Sequence, residues 1–235
     1  MGITGLLPLL KSVTHKVHIS QYRGKRVAID GYAWLHKSIY SCSIQLATSG
    51  ESTEWIAFCM RLVDKLLEFD IQVIMVFDGD ELPAKKGTES IRALKRKENL
   101  SDGVKCLKRG DNTMAHTLLS RAIDITPRMA AQLIKTLKEH RPNVQCVVAP
   151  YEADAQLAFL SQIKVIDCVI SEDSDTIPFG CQEILFKLQP TGYCESITLV
   201  DVYHKPIDGF DMREFNEDMT ITMCIAAGCD YLVSD

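Results

Sequence analysis

Long hydrophobic runs are missing from this chain of 235 residues. No apolar stretch approaches the roughly 20 residues that a membrane-spanning helix needs, which excludes an integral membrane protein of that kind. The first residues, MGITGLLPLLKSVTHK, lack a basic start followed by a long apolar segment, so they do not form a secretory signal. The sequence therefore indicates a globular protein with no membrane partner, long enough for one large domain with a buried core.

The cysteine and histidine patterns of zinc sites are also missing. No two of the nine cysteines are spaced as CxxC, which excludes a zinc ribbon or finger of that type, and the six histidines form no HxxxH pair. The odd number of cysteines and their placement in apolar segments such as VQCVVAP favour reduced thiols. We therefore expect an intracellular, reducing location.

Charge is unevenly distributed along the chain. The net charge of −5 is unusual for a protein that binds DNA, but residues 85–109 contain nine Lys or Arg against three acids. That segment carries +6, so the rest of the chain carries −11. A basic run is most often a solvated helix face, so the segment alone does not establish nucleic-acid binding.

Apolar periodicity predicts alternating strands and helices. Residues 71–77 (IQVIMVF) are too apolar and β-branched for anything but a central strand, and residues 53–69 have apolar positions at helical spacing. Further strands are predicted near residues 25–30, 144–148, 166–171, 182–188 and 194–199, the last two closing the edge of the sheet. Further helices are predicted near residues 31–47, 84–109, 112–124, 127–140, 151–163 and 214–226. This order predicts an α/β fold with a mostly parallel central sheet and helices on both faces.

Acidic residues fall where the predicted strands end. In open parallel sheets ligands bind outside the carboxyl ends of the strands, so four separate segments would bring acids to one edge. The acids at these positions are Asp30, Asp78, Glu152, Asp154, Asp173 and Asp175. Asp230, in GCDYL, would join them from the last helix.

Each acid alone has an ordinary structural explanation. Glu152 and Asp154 suit the first turn of a helix, and Asp30 and Asp78 precede glycines in turns. The combination is more informative, because no Arg or Lys is adjacent to any of these acids and crowded carboxylates need a cation. Oxygen ligands without His or Cys favour Mg²⁺ or Mn²⁺. Two such ions about 3.5–4 Å apart would activate a water and stabilise the leaving oxygen of a phosphodiester.

Six motifs carry a resemblance to a known family: MGITGLLP, VAIDGYAWLHK, VFDGDELPAKK, APYEADAQLAFL, SEDSDTIPFGC and AAGCDYL. In this order they resemble the N-terminal and internal nuclease regions of the flap endonuclease-like 5′ nuclease family, over nearly the whole chain. APYEADAQLA, EDSD and FGC are more similar to the exonuclease 1 branch than to the flap endonucleases. The resemblance implies a PIN-like 5′ nuclease core with a helical arch.

The resemblance implies a role for the acids and for two cations. All seven acids, Asp230 included, match the metal ligands of the family and would hold two Mg²⁺ ions, for which Mn²⁺ can substitute. Lys85 and Arg92 match the basic pair of the arch, which contacts the scissile phosphate. Their seven-residue spacing puts both on one face if the helix is unbroken. The alternative for this pair is a solvated basic face.

Four other residues are predicted to contact DNA. Gly2 matches an N-terminal glycine that lies close to the metals. His36 is similar to the residue of the exonuclease 1 branch at this position and is predicted to stack on the terminal nucleotide, although a histidine on an apolar helix is more often a packed core residue. Lys95 and Arg96 belong to the basic segment of the arch.

The family pattern also predicts the organisation of the chain. Residues 1–235 would form one catalytic domain, with an N-terminal nuclease region at about 1–99, the arch at about 84–125 and an internal region at about 127–235. Family members continue past the position of Asp235 into a helix–turn–helix element that grips duplex DNA and can bind K⁺, and partners in repair would be recruited through later segments. One departure is Pro178, which removes an amide donor and restricts the backbone of Ile177.

The predicted activity is metal-dependent 5′→3′ exonucleolytic hydrolysis of DNA with 5′ flap endonuclease capacity, in nuclear DNA repair. The substrate would be duplex DNA with a 5′ end, nick, gap or 5′ flap. One alternative is a strict 5′ flap endonuclease, which shares the chemistry. A second is a non-catalytic DNA-end-binding scaffold, which would have no need of clustered acids.

Overall fold

The computed structural model describes residues 2–207, 209–229 and 231 of the chain. Asp230, one of the seven predicted metal ligands, lies outside these residues. Among the described residues, no helix is both long enough and apolar enough to cross a bilayer.

A single mixed sheet forms the centre of the described chain. Its strands are β1 (His15–His18), β2 (Arg26–Asp30), β3 (Gln72–Phe77), β4 (Gln145–Val148), β5 (Cys168–Ile170), β6 (Glu183–Phe186) and β7 (Tyr193–Thr198). The strand order is β1–β7–β6–β5–β2–β3–β4. The five strands from β6 to β4 run parallel, and β7 is antiparallel to both β6 and β1.

Helices cover both faces of this sheet. They are α1 (Leu6–Leu9), α2 (Gly31–Ile39), α3 (Ser43–Ser49), α4 (Glu54–Leu67), α5 (Lys86–Lys108), α6 (Asn112–Ala122), α7 (Pro127–His140), α8 (Ala153–Gln162), α9 (Leu199–His204) and α10 (Glu217–Ala227). One apolar core packs α2, α4 and α7 on one face, and a second packs α1, α8, α9 and α10 on the other. Alternate residues of β2 enter the two cores, as expected for a strand buried on both sides. The predicted α/β class is thereby confirmed.

The predicted helix at 31–47 is broken in the structure. It consists of α2, a 3-10 turn at Tyr40–Cys42, and α3. The Ser38 hydroxyl donates to the Leu35 carbonyl at 2.6 Å, and the Ser41 hydroxyl donates to the Ser38 carbonyl at 2.9 Å. Serine side chains that bond nearby backbone carbonyls in this way weaken and bend a helix, which explains the break.

The predicted edge of the sheet was wrong at one end. The sequence placed residues 194–199 at the edge, but β1 pairs beyond β7, with His15 opposite Ser196. Strand β1 was not predicted from the sequence, because its residues, HKVH, include only one apolar side chain. A short, polar strand is what an exposed sheet edge favours.

Two helices that pack on each other, α5 and α6, follow β3 and occupy the segment predicted to form the arch, the name kept for them below. Gly103 of α5 is in close contact with α6, because a Cβ there would come within 2.7 Å of Leu119 Cδ2. Gly103, which has no side chain, therefore permits the two helices to approach each other closely. The α-helix begins at Lys86, and Lys85 belongs to a preceding 3-10 turn. The seven-residue spacing of Lys85 and Arg92 therefore does not lie in one unbroken helix.

The loop around Pro178 turns more tightly than the proline predicts. Ile177 has φ −70° and ψ −59°, in the helical region that a following proline disfavours. Its amide donates to the Ser174 carbonyl at 3.1 Å, which continues the 3-10 turn of Ser174–Thr176. Burial of the Ile177 side chain in the second core favours this conformation.

Candidate active site

The strand order places the acid-bearing segments side by side. Strands β5, β2, β3 and β4 are consecutive neighbours in the sheet and run parallel, so their carboxyl ends share one edge. Each is followed by one of the predicted acids or acid pairs. Sequence reasoning therefore gave the right edge for all six described acids.

Asp30 is fixed at the end of β2 by two donors. Its Oδ1 accepts from the Ala33 amide at 2.9 Å, as the N-cap of α2, and its Oδ2 accepts from the Ser171 hydroxyl at 3.1 Å. Burial raises the pKa of Asp30 to about 7, and the charges of Asp78 and Asp173 act in the same direction. The fold fixes the position of the Asp30 carboxyl group in an environment where its ionised form is less favourable than in water.

Asp78 links the loop after β3 to the helix after β4. Its Oδ1 accepts from the Ala153 amide, the first of α8, at 2.7 Å. Burial raises the pKa of Asp78, Glu152 adds to the rise, and Lys85 opposes it. The two loops lie against each other at Gly79, where a Cβ would come within 1.9 Å of a backbone oxygen, which is why only glycine fits there.

Asp154 has a buried carboxylate oxygen at the start of α8. Its Oδ1 is buried and has no hydrogen-bond partner within the described chain. Burial raises the pKa of Asp154 well above its usual range, and four other acids add to this rise: Asp30, Asp173, Asp78 and Asp175. The mutual effects show that acids from four segments are electrostatic neighbours.

The loop after β5 positions two acids and the N-terminus. Asp173 Oδ1 accepts from the Asp175 amide at 3.0 Å, and Asp175 is buried. The Ile3 amide donates to Ser174 Oγ at 2.8 Å, which brings the start of the chain onto this loop. A Cβ on Gly2 would come within 2.5 Å of Asp173 Oδ1. The structure therefore places Gly2 beside Asp173, and its proximity to bound metals stays a prediction.

Glu152 has a basic neighbour in the fold, although no Arg or Lys is adjacent to it in the sequence. Lys85 forms an ion pair with Glu152 Oε1, and the Tyr231 hydroxyl donates to Glu152 Oε2 at 2.5 Å. Sequence adjacency could not reveal this pair, because the whole arch, α7 and β4 lie between Lys85 and Glu152 in the chain.

The donor chemistry of the site fits a hard divalent cation. The donors are carboxylate oxygens, one of them buried without a partner, and several ionise reluctantly beside one another. In the part of the chain that the structure describes, no three His, Cys, Asp or Glu side chains are arranged to hold a metal ion together. Asp30, Asp78, Glu152, Asp154 and the pair on the loop after β5 are the residues that would hold Mg²⁺.

The remaining predicted DNA contacts are on or beside the arch. Solvent reaches His36, but nearby protein atoms lower its pKa, and the charge of Arg92 adds to this effect. The structure thus brings Arg92 to His36 and Lys85 to Glu152. Lys95 is exposed, whereas Arg96 is held by Glu89 at 2.5 Å and by an acid after α6.

Two functional candidates were missed by sequence analysis. The Ser171 hydroxyl donates to Asp30 Oδ2 and accepts from the Asp173 amide at 3.0 Å, so it joins two acid-bearing segments. Tyr231 contacts both Glu152 and Lys85. Both were visible as neighbours of the acid motifs, Ser171 at the end of its strand and Tyr231 directly after Asp230 in GCDYL.

Comparison with known proteins gives two family matches. The XPG N-terminal domain matches residues 1–99 and the XPG I-region matches residues 143–230. Exonuclease 1 of Arabidopsis thaliana is 43% identical over 234 residues, covering 100% of this chain and 31% of that protein. The chain therefore spans about a third of the length of this curated relative.

Solved structures confirm the fold. Human GEN1 in complex with Holliday junction DNA superposes with a TM-score of 0.70 at 17% identity, covering 99% of this chain and 51% of that one. The catalytic core of Rad2 in complex with DNA substrate gives a TM-score of 0.67 at 21% identity, covering 98% and 63%. At these identities the likeness is one of fold.

Proposed function

The chain belongs to the XPG family, and from that premise we propose that it is a metal-dependent 5′→3′ DNA exonuclease with 5′ flap endonuclease capacity. The observation that carries this proposal is the convergence of buried and half-buried acids from four segments on one sheet edge, with Lys85, at the start of the basic arch, paired with Glu152. The identity to exonuclease 1 over the whole chain favours the exonuclease branch. A scaffold would gain nothing from a site whose ionised form is so unfavourable.

The arrangement of the residues supports hydrolysis of a phosphodiester. Mg²⁺ held by the acids would supply charge neutralisation and an activated water at the scissile phosphate. The chain's own contribution is position: Asp30 and Asp78 are fixed by backbone amides of neighbouring elements, so the donor set is arranged before substrate arrives. Lys85 and Arg92 would neutralise charge on the reacting phosphate, and His36 beside Arg92 would stack on the terminal nucleotide.

Duplex DNA with a 5′ end, nick, gap or flap is the proposed substrate. Repair complexes in the nucleus are the proposed setting, and the nine free thiols favour a reducing compartment. K⁺ and further duplex contacts would belong to a helix–turn–helix element of the kind that the family carries.

A cleavage assay on two substrates tests the proposal. A 5′-labelled blunt duplex and a 5′ flap duplex are incubated with the chain and Mg²⁺. Release of labelled mononucleotides supports the exonuclease, whereas a single flap-length product from the flap substrate alone indicates a strict flap endonuclease. Retained DNA binding with no metal-dependent cleavage of either substrate would contradict enzymatic function.

A further inference from the structure

Glu152 is engaged on both of its carboxylate oxygens. Lys85 contacts Oε1 and the Tyr231 hydroxyl donates to Oε2 at 2.5 Å. The Lys85 ammonium also lies over the Tyr231 ring, 4.4 Å from its centroid. The three side chains form a closed triad, which we call the Lys85–Glu152–Tyr231 clamp.

This clamp is more than an ordinary surface ion pair. The side chains of Lys85 and Glu152 are each only 18% exposed, so solvent screens their attraction less than it does at the surface. The Tyr231 ring is held in turn by Phe179, edge to face at 6.2 Å. Lys85 therefore has a defined binding place within the acid site.

The position of Lys85 in the chain makes the clamp a link between two regions. Lys85 is the N-cap residue of α5, where the arch begins. Phe179 packs against the second core, and Tyr231 is half-buried against Phe179. Holding Lys85 therefore ties the first turn of the arch to the metal-binding edge.

A metal ion and the Lys85 ammonium cannot both bind the carboxylate oxygens of Glu152 at the same time. Carboxylate oxygens that coordinate a divalent cation are no longer strong acceptors for an ammonium group, and the two cations repel. We propose that Lys85 and Mg²⁺ compete for Glu152, so that metal binding releases Lys85 from the clamp toward the substrate phosphate. Tyr231 is then a positioning residue that holds Glu152 and Lys85 until this exchange. The inference rests on the proposed function, because it assumes that the acids bind Mg²⁺.

The exchange predicts a measurable change at Lys85 when Mg²⁺ is added without DNA. A lysine above an aromatic ring has upfield-shifted side-chain proton signals, and Lys85 is identified in ¹³C-lysine-labelled protein by their loss in Lys85→Met. In a Mg²⁺ titration we expect these signals to move to the positions of ordinary lysines. The Mg²⁺ concentration at the midpoint of this movement should equal the midpoint of Mg²⁺ binding measured by calorimetry. Lys16 lies 4.9 Å above the Tyr193 ring on the edge strand, so its signals are the internal control and should not move.

Mg²⁺ affinity gives an independent readout. Removing the competitor in Lys85→Met should tighten Mg²⁺ binding about tenfold, the size of one charge-assisted contact, whereas Lys16→Met should change it less than about twofold. Signals of Lys85 that stay shifted while calorimetry shows Mg²⁺ bound would overturn the exchange and leave the proposed nuclease intact. Absence of Mg²⁺ binding would overturn both proposals.

Discussion

The acidic sheet edge and the basic arch hold opposite charges in different ways. The acids are buried or half-buried, and several are fixed by donors from other segments, such as the Ala153 amide on Asp78 and the Ser171 hydroxyl on Asp30. Two cations of α5 are paired with acids of the arch itself, Arg96 with Glu89 and Lys105 with Asp102 at 2.8 Å. The difference teaches that the acid geometry is set by the fold, whereas the arch cations depend on short-range pairs that DNA can replace. Changes at the edge should therefore abolish chemistry, and changes in the arch should tune it.

Loss of one acid should give the largest effect. In Asp173→Ala we expect single-turnover cleavage at saturating Mg²⁺ to fall on the order of 10³-fold or more, because the remaining acids no longer hold the metals in place. DNA affinity, measured by fluorescence anisotropy, should stay close to the parent value because no phosphate contact is removed.

Two variants keep this test specific. Asp173→Asn retains an acceptor for the Asp175 amide and should be as inactive as the alanine variant if charge, not loop structure, is what matters. Asp211→Ala removes an exposed acid paired with Arg213 and should cleave normally. Cleavage by Asp173→Ala within about tenfold of the parent would remove Asp173 from the site.

The two arch cations should give the next largest effect. We expect Lys85→Ala and Arg92→Ala each to raise the activation free energy by about 2–4 kcal/mol, which is roughly 30- to 1000-fold in single-turnover rate. Affinity should change little, because a contact made mainly in the transition state does not hold the ground state. A simple phosphate contact would instead weaken binding and flatten its salt dependence.

The double variant tests whether the arch acts as a unit. Lys85 pairs with Glu152, whereas Arg92 lies near enough to His36 for its charge to lower the pKa of that imidazole, so the two cations have different surroundings. If the arch orders as one body on DNA, the double variant should still be little worse than the worse single one. If both single variants cleave at the parental rate on saturating DNA, the arch is only a solvated basic helix.

The sequence was sufficient to predict which residues lie at the sheet edge, but not the side-chain contacts between residues that are distant in the chain. The acids were predictable because each follows an apolar strand, and parallel strands end at one edge. The clamp was not, because Lys85, Glu152 and Tyr231 are far apart in sequence and meet only through the fold. Strand β1 was missed because its polar sequence carries almost no periodic signal.

The free energy of unfolding should depend on pH, because the acids at the sheet edge ionise less readily in the folded state than in the unfolded chain. The pKa of Asp30 is raised from 3.8 to about 7, and those of Asp78 and Asp154 shift in the same direction. At a pH between the unfolded and the folded pKa, the folded state keeps protons that the unfolded chain has released. The free energy of unfolding therefore falls as pH rises from about 4 to about 7. The loss should amount to a few kcal/mol by urea denaturation without metal, at about 1.4 kcal/mol per pKa unit.

Two changes should flatten this pH profile. Asp30→Asn keeps the acceptor for the Ala33 amide but cannot ionise, so less stability should be lost toward pH 7. Mg²⁺ should restore stability most above pH 7, where the carboxylates are charged. Asp211→Asn is the control, because the pKa of Asp211 is lowered to about 2 and its titration lies below this range. A profile that rises between pH 4 and 7 in the parent would contradict the burial of these acids as the cause.

The smallest effect distinguishes two glycines of the same arch helix. Gly87 is exposed near the start of α5, and alanine there should stabilise the helix by about 0.5–1 kcal/mol. Gly103 faces α6, where a Cβ would come within 2.7 Å of Leu119 Cδ2 and 2.8 Å of Leu119 Cγ, and the Leu119 side chain is fully buried. Gly103→Ala should therefore lose more in packing than it gains in helix propensity, and separate α5 from α6.

Amide hydrogen exchange measures both effects. Protection in α5 should rise about threefold in Gly87→Ala and fall in Gly103→Ala, since exchange follows the local free energy of opening. If alanine at both positions protected α5 equally, Gly103 would be a mobile point in a loose helix, and the arch would lack the internal packing that separates it from a simple charged surface.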